Sequence, residues 1–113
     1  MEKYCKMQEG KLIIYVPKEL DHHEAGSVKQ EADFMIDAYH VKSVVFDFSG
    51  TEFMDSSGIG MIIGRCRNMG YYGGSVTARN LNERIRKIFR VSGLHTLIQT
   101  DETEKSRKGN GSV

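Results

Sequence analysis

The chain of 113 residues is poor in several things. It has two cysteines, Cys5 and Cys66, far apart and in no metal-ligand spacing. That excludes a disulfide-stapled scaffold and a cysteine-built zinc site, and it reads as two reduced thiols of a cytoplasmic protein. The charges nearly cancel: 16 Lys plus Arg stand against 15 Asp plus Glu, for a net +1. Such a balance leaves no electrostatic footprint for nucleic acid or an anionic membrane. The apolar runs are only a few residues long, so none is read as crossing a bilayer. Met1-Glu2-Lys3-Tyr4-Cys5 lacks the apolar stretch of a signal peptide. There is no internal repeat and no interdomain linker. Apolar residues make up 39% of the chain, enough for one modest core. One soluble domain over residues 1–100 is expected, followed by a polar, disordered tail over 101–113.

What is present alternates between strand and helix patterns. A weak strand at Tyr4–Gln8 and a strong one at Leu12–Val16, stopped by Pro17, flank the turn-like Glu9-Gly10-Lys11 and predict a hairpin. Asp21 with Glu24 three residues later has the capping-box spacing. Behind it Ala25, Val28, Ala32, Met35, Ile36 and Tyr39 form a helical stripe. Val44–Phe48 is the strongest strand. A second stripe, Ile59, Ile62, Ile63, Cys66 and Met69, follows Ser57, with Gly60 and Gly64 explained by close packing of helix on sheet. Ser75–Arg79 is a strand. A third helix, capped by Asn80 or Asn82, carries Ile85, Ile88 and Phe89 inward, turns the basic Arg84, Arg86, Lys87 and Arg90 outward, and ends at Gly93. Leu97–Gln99 is a last strand or helix edge. The order predicts an α/β fold: a single-domain mixed β-sheet, its parallel part built by right-handed crossovers, with helices packed mainly on one face.

The search for chemistry returns no catalytic set. Gly-x-Ser-x-Gly is absent, as are the phosphate-loop and dinucleotide fingerprints. His22 and His23 are adjacent, point to different sides of a helix start, and have no second histidine at ligand spacing. No catalytic residue, metal ligand or cofactor is expected. One stretch stands apart: Phe53-Met54-Asp55-Ser56-Ser57-Gly58-Ile59-Gly60. It follows the most buried strand, at the end where α/β folds place their sites. A serine at a helix start ordinarily serves as a cap worth about 1 kcal/mol. Here three cap-competent residues stand in a row where one suffices.

Asp55-Ser56-Ser57-Gly58-Ile59-Gly60, preceded by Phe53-Met54, resembles the phosphorylation motif of the anti-sigma factor antagonists, bacterial members of the STAS domain family. Leu20-Asp21-His22-His23-Glu24-Ala25 is similar to the first helix start of the sporulation sigma-F branch. Gly73-Gly74-Ser75 and Ile88-Phe89-Arg90-Val91-Ser92-Gly93-Leu94 sit where the family has its later landmarks. The resemblance covers about residues 3–100. It implies a partner switch and not an enzyme: the unmodified protein binds an anti-sigma factor that is also a serine kinase, phosphorylation of Ser56 ends the binding, and a serine phosphatase restores it. It places Asp21, Asp55, Ser57, Gly58 and Ile59 in the partner-binding face. Gly58 would allow close approach of the partner and Ile59 would offer an apolar anchor. Asp21 belongs there if both helices begin at the same sheet edge. The free protein is expected to be monomeric. The rival readings are a STAS module of a stress-signalling or lipid-transport assembly, a nucleotide-binding enzyme built on the glycine-rich helix start, and a purely structural domain.

Overall fold

The computed structural model describes residues 2–100; the tail expected over 101–113 lies outside the described residues. Strands β1 (Cys5–Gln8) and β2 (Lys11–Tyr15) open the chain. Then come β3 (Glu19–Leu20), α1 (His22–Tyr39), β4 (Ser43–Asp47), β5 (Phe53–Met54), α2 (Ser56–Tyr71), β6 (Ser75–Arg79), α3 (Glu83–Ser92), a single 3-10 turn at Leu94–Thr96, and β7 (Gln99–Thr100). Glu9 and Gly10 both have positive φ, 52° and 81°, the requirement of a tight two-residue hairpin turn. They set Gln8 opposite Lys11 in the antiparallel β1–β2 pair.

The main sheet has the order β1-β2-β4-β6-β7. All pairs after the first are parallel. The continuous apolar runs land at its centre, as β2 and β4. Leu12, Ile14, Val44, Phe46 and Ala78 join the buried residues of the helices in one core. The alternate positions Ile13 and Val45 are buried on the other side of the pleat, 3% and 5% exposed. The expected mixed sheet with helices mainly on one face is what forms.

Both apolar helix stripes need adjustment. In α1, Ala25, Val28, Ala32 and Met35 are buried, but Tyr39 is 56% exposed, at the last turn beyond the core. In α2 the buried residues are Gly58, Met61, Ile62, Arg65 and Met69. The stripe is rotated relative to the expected one, and Ile59, Ile63 and Cys66 are half-buried at its border. The buried Arg65 has Asp33 of α1 3.2 Å from its Nε as its ion-pair partner, as a buried charge needs, although its Nε and Nη1 make no hydrogen bond among the described residues. α2 runs through Gly70 to Tyr71. Of the two asparagines weighed for α3, Asn82 is the cap.

Phe48, one residue past β4, meets Phe89 of α3 edge to face at 5.4 Å between ring centroids. Such a pair contributes about 0.5–1.5 kcal/mol beyond its buried area. It fixes α3 against the segment that leads into β5.

Candidate functional site

β3 and β5 are the elements that sequence periodicity missed, since two residues carry no period. They pair in parallel as a separate ladder, Glu19 opposite Phe53 and Leu20 opposite Met54. Each runs straight into an aspartate cap. Asp21 and Asp55 have extended backbones, ψ −173° and −175°. The Asp21 Oδ1 accepts the Glu24 N–H at 2.9 Å, and the Asp55 Oδ1 accepts the Gly58 N–H at 3.0 Å. Asn82 repeats the device on α3, accepting the Ile85 N–H at 2.8 Å.

The ladder brings the starts of α1 and α2 together. The Asp55 N–H donates to the Leu20 carbonyl at 3.2 Å. His22 Nδ1 lies 3.2 Å from Ser57 Oγ. A Cβ on Gly58 would stand 2.5 Å from the Leu20 carbonyl oxygen and 2.8 Å from Leu20 Cγ. Gly58 is buried, and its lack of a side chain is what lets α2 lie against β3. Gly60 and Gly64 behave in the opposite way to expectation: a Cβ at either meets nothing within 4 Å. Packing therefore explains the first glycine of the helix and not the two later ones.

The six residues singled out by sequence fall together at this edge. Ser56, the first residue of α2, is exposed; Asp21, Asp55, Ser57 and Ile59 are half-buried; Gly58 is beneath them. Phe53, in the same stretch, is 48% exposed beside buried Met54. Its place in β5 follows from the pairing with Glu19, which no local pattern carries.

Two further residues brace this edge: Thr51, which no spacing singled out, and Asn82, expected only as a cap candidate for α3. Thr51 is 1% exposed, and its hydroxyl donates to the Val16 carbonyl at 2.9 Å. Asn82 Nδ2 donates to the Thr51 carbonyl at 2.9 Å. The turn before β5 is thus strapped to Val16, the residue that follows β2, on one side and to the cap of α3 on the other. At the end of β4, Asp47 accepts the Ser49 N–H and Arg79 Nε–H, both at 2.8 Å, and Asn80 Nδ2 at 3.2 Å. Burial pushes the Asp47 carboxyl up, but the Ser49 and Arg79 donors and the Arg79 charge outweigh it and hold it below the ordinary carboxylate range.

Among the described residues, no group of three or more His, Cys, Asp or Glu is placed to hold a metal ion. Burial pushes the Cys5 thiol up to about 12 and the Cys66 thiol up to about 11, which keeps both in the unreactive thiol form. No described helix is long and apolar enough to cross a membrane.

A mixed sheet with three helix starts capped along one edge, and an exposed serine on the middle one, defines a small α/β module whose distinctive chemistry is a surface hydroxyl. The family model described as STAS domain matches residues 5–107, and the chain belongs to that family. It is 32% identical over 94 residues to the anti-sigma F factor antagonist of Lysinibacillus sphaericus, spanning 83% of this chain and 80% of that protein. It is 37% identical over 104 residues to the anti-sigma-B factor antagonist of Bacillus subtilis, spanning 92% of each. Among solved structures it is similar to the anti-sigma factor antagonist SpoIIAA in its unphosphorylated form, with a TM-score of 0.75, 29% identity and 96% of both chains covered. The phosphorylated form of this Bacillus cell fate determinant gives a TM-score of 0.69, 28% identity, and coverage of 92% of this chain and 95% of that one.

Proposed function

We propose that this protein is an anti-sigma factor antagonist of the sigma-F type, switched by phosphate on Ser56. In the unmodified form its α1–α2 edge binds an anti-sigma factor that carries serine kinase activity, and the sigma factor goes free. Phosphorylation of Ser56 ends the complex, and a serine phosphatase reverses it. The protein is the substrate in this cycle and not an enzyme, and it acts in the cytoplasm as a monomer when free. The observation that carries the reading is the exposure of Ser56 at the first position of α2, directly behind the Asp55 cap. Membership of the STAS family, with a relative solved both with and without phosphate, supports it.

The geometry supplies a reason for the switch. A phosphoserine carries about −1.5 to −2 charges at neutral pH. At position 56 it stands beside the Asp55 carboxylate. Two unit charges about 4 Å apart repel by about 1 kcal/mol in water and about 4 kcal/mol at an effective dielectric near 20. The start of α2 offsets up to about 2 kcal/mol of this. On the solvated free protein the two effects nearly cancel, and the fold survives. In a closed interface water is gone, repulsion grows, and the phosphate must also be desolvated. A net penalty of about 3 kcal/mol weakens binding about a hundredfold. In this reading Asp21 and Ile59 contribute contacts beside Ser56. Gly58 contributes from below, by letting the two helix starts lie side by side.

The test is incubation of the chain with the anti-sigma F factor and Mg-ATP, followed by intact mass and peptide mapping. One phosphate on Ser56 is the expected result. Label elsewhere, or none, rejects the proposal.

A further inference from the structure

We infer that His22 decides which of the two adjacent serines takes the phosphate, by holding the Ser57 hydroxyl against α1. This rests on the phosphoacceptor reading above and extends it to a residue on a different helix.

Ser56 and Ser57 are chemically alike. They carry the same hydroxyl, sit one position apart in the first turn of α2, and share one helix N-terminus. Any preference between them has to come from their surroundings, and those differ. Ser56 is exposed and its hydroxyl makes no hydrogen bond among the described residues. Ser57 is half-buried, and its Oγ lies 3.2 Å from Nδ1 of the exposed His22, across the junction that the β3–β5 ladder creates.

Phosphoryl transfer from ATP makes a bond from Oγ to the γ-phosphorus and breaks the bond to the β-phosphate oxygen, releasing ADP. The hydroxyl proton passes to the kinase's own base. The acceptor hydroxyl has to rotate into the kinase to do this. The imidazole holds Ser57 in either tautomer: a bare Nδ1 accepts its O–H, and a protonated Nδ1–H donates to its oxygen. Both arrangements keep the oxygen turned toward α1. The pairing also explains the run of three cap-competent residues. Asp55 caps α2, Ser56 stays free to react, and Ser57 ties α2 to α1.

A Ser–His contact also occurs where histidine activates a serine as nucleophile, with a third group orienting the imidazole. His22 has no second hydrogen-bond partner among the described residues. The two roles predict opposite results when the imidazole is removed.

The experiment compares wild type, Ser56→Ala, and Ser56→Ala combined with His22→Ala, each incubated with the anti-sigma F factor and Mg-ATP. Phosphate is located by peptide mapping, and circular dichroism checks that each variant is folded. Freeing one exposed hydrogen-bonded hydroxyl is expected to raise Ser57 labelling in the double variant about threefold over Ser56→Ala. An equal or lower rate overturns the inference, and leaves the phosphoacceptor reading standing if wild type is labelled on Ser56. Wild type without phosphate on Ser56 overturns both. An independent measurement needs no kinase: the His22 ring nitrogen resonances are expected to shift in Ser57→Ala, and unmoved resonances also overturn the inference.

Discussion

Two glycines of one helix are expected to respond to alanine with opposite signs. A methyl group on Gly58 is placed 2.5 Å from the Leu20 carbonyl oxygen, 2.8 Å from its Cγ and 2.9 Å from its Cδ2. Leu20 is fully buried, and its carbonyl already accepts the Asp55 N–H. The backbone oxygen cannot yield without opening the β3–β5 ladder. Overpacking of this kind costs about 1–3 kcal/mol, and the rigid contact puts Gly58→Ala near the upper end. The helical preference of alanine over glycine returns about 1 kcal/mol. The net loss of about 2 kcal/mol corresponds to a fall in Tm of roughly 8–10 °C. Gly60 has the same propensity term without the clash, since nothing lies within 4 Å of its Cβ position. Gly60→Ala is expected to gain up to about 1 kcal/mol, or about 4 °C. Thermal unfolding followed by circular dichroism measures both. A Gly58→Ala variant as stable as wild type, or a Gly60→Ala variant that loses as much, refutes the account of how the two helix starts are brought together.

Thr51→Val keeps the shape but strands the buried Val16 carbonyl that the hydroxyl serves; urea unfolding is expected to show a loss of about 1–3 kcal/mol. Asp47 is held below the ordinary carboxylate range in the fold. Its stabilisation is present above the unfolded pKa near 4 and is lost as pH falls through the lower folded value. Asp47→Asn should therefore flatten the acid limb of a stability–pH profile, and an unchanged limb would count against the network around it. Cys5 shows the reverse sign. Burial raises its thiol from 9.0 to about 12, so its contribution is complete below pH 9 and drains away as pH rises toward 12. Replacing it with alanine should remove that part of the alkaline loss, as read by urea midpoints at a series of pH values.

How much the sequence disclosed depended on the length of each signal. The long apolar runs of β2 and β4 and the cap at Asp21 needed only local information, and they appear, though Glu24 bonds Tyr4 and does not close the capping box; at the start of α2 three cap-competent residues stood in a row, and Asp55 is the cap. β3 and β5 are two residues each and exist only because they pair with one another across more than thirty positions. That pairing turns two separate helix starts into one site. Without it, Asp21 could be linked to Asp55 only through the family resemblance. Arg65 is absent from the apolar pattern of α2, yet it is buried beside Asp33 of the neighbouring helix, a pairing no local pattern shows. The glycines were misjudged for a related reason: helix propensity is local, whereas close approach depends on what lies opposite. Leu20 lies opposite Gly58, and nothing lies opposite Gly60.

The most direct measurement of the switch is the affinity of the anti-sigma F factor for this chain before and after phosphorylation of Ser56, with Ser56→Asp as a second acidic form. The account predicts that phosphate weakens binding about a hundredfold, with Ser56→Asp weakened in the same direction, while the far-ultraviolet circular dichroism of both stays native. Equal affinity for the two forms contradicts it. So does a loss of binding that comes with unfolding, because the charge would then be acting on the fold instead of the interface.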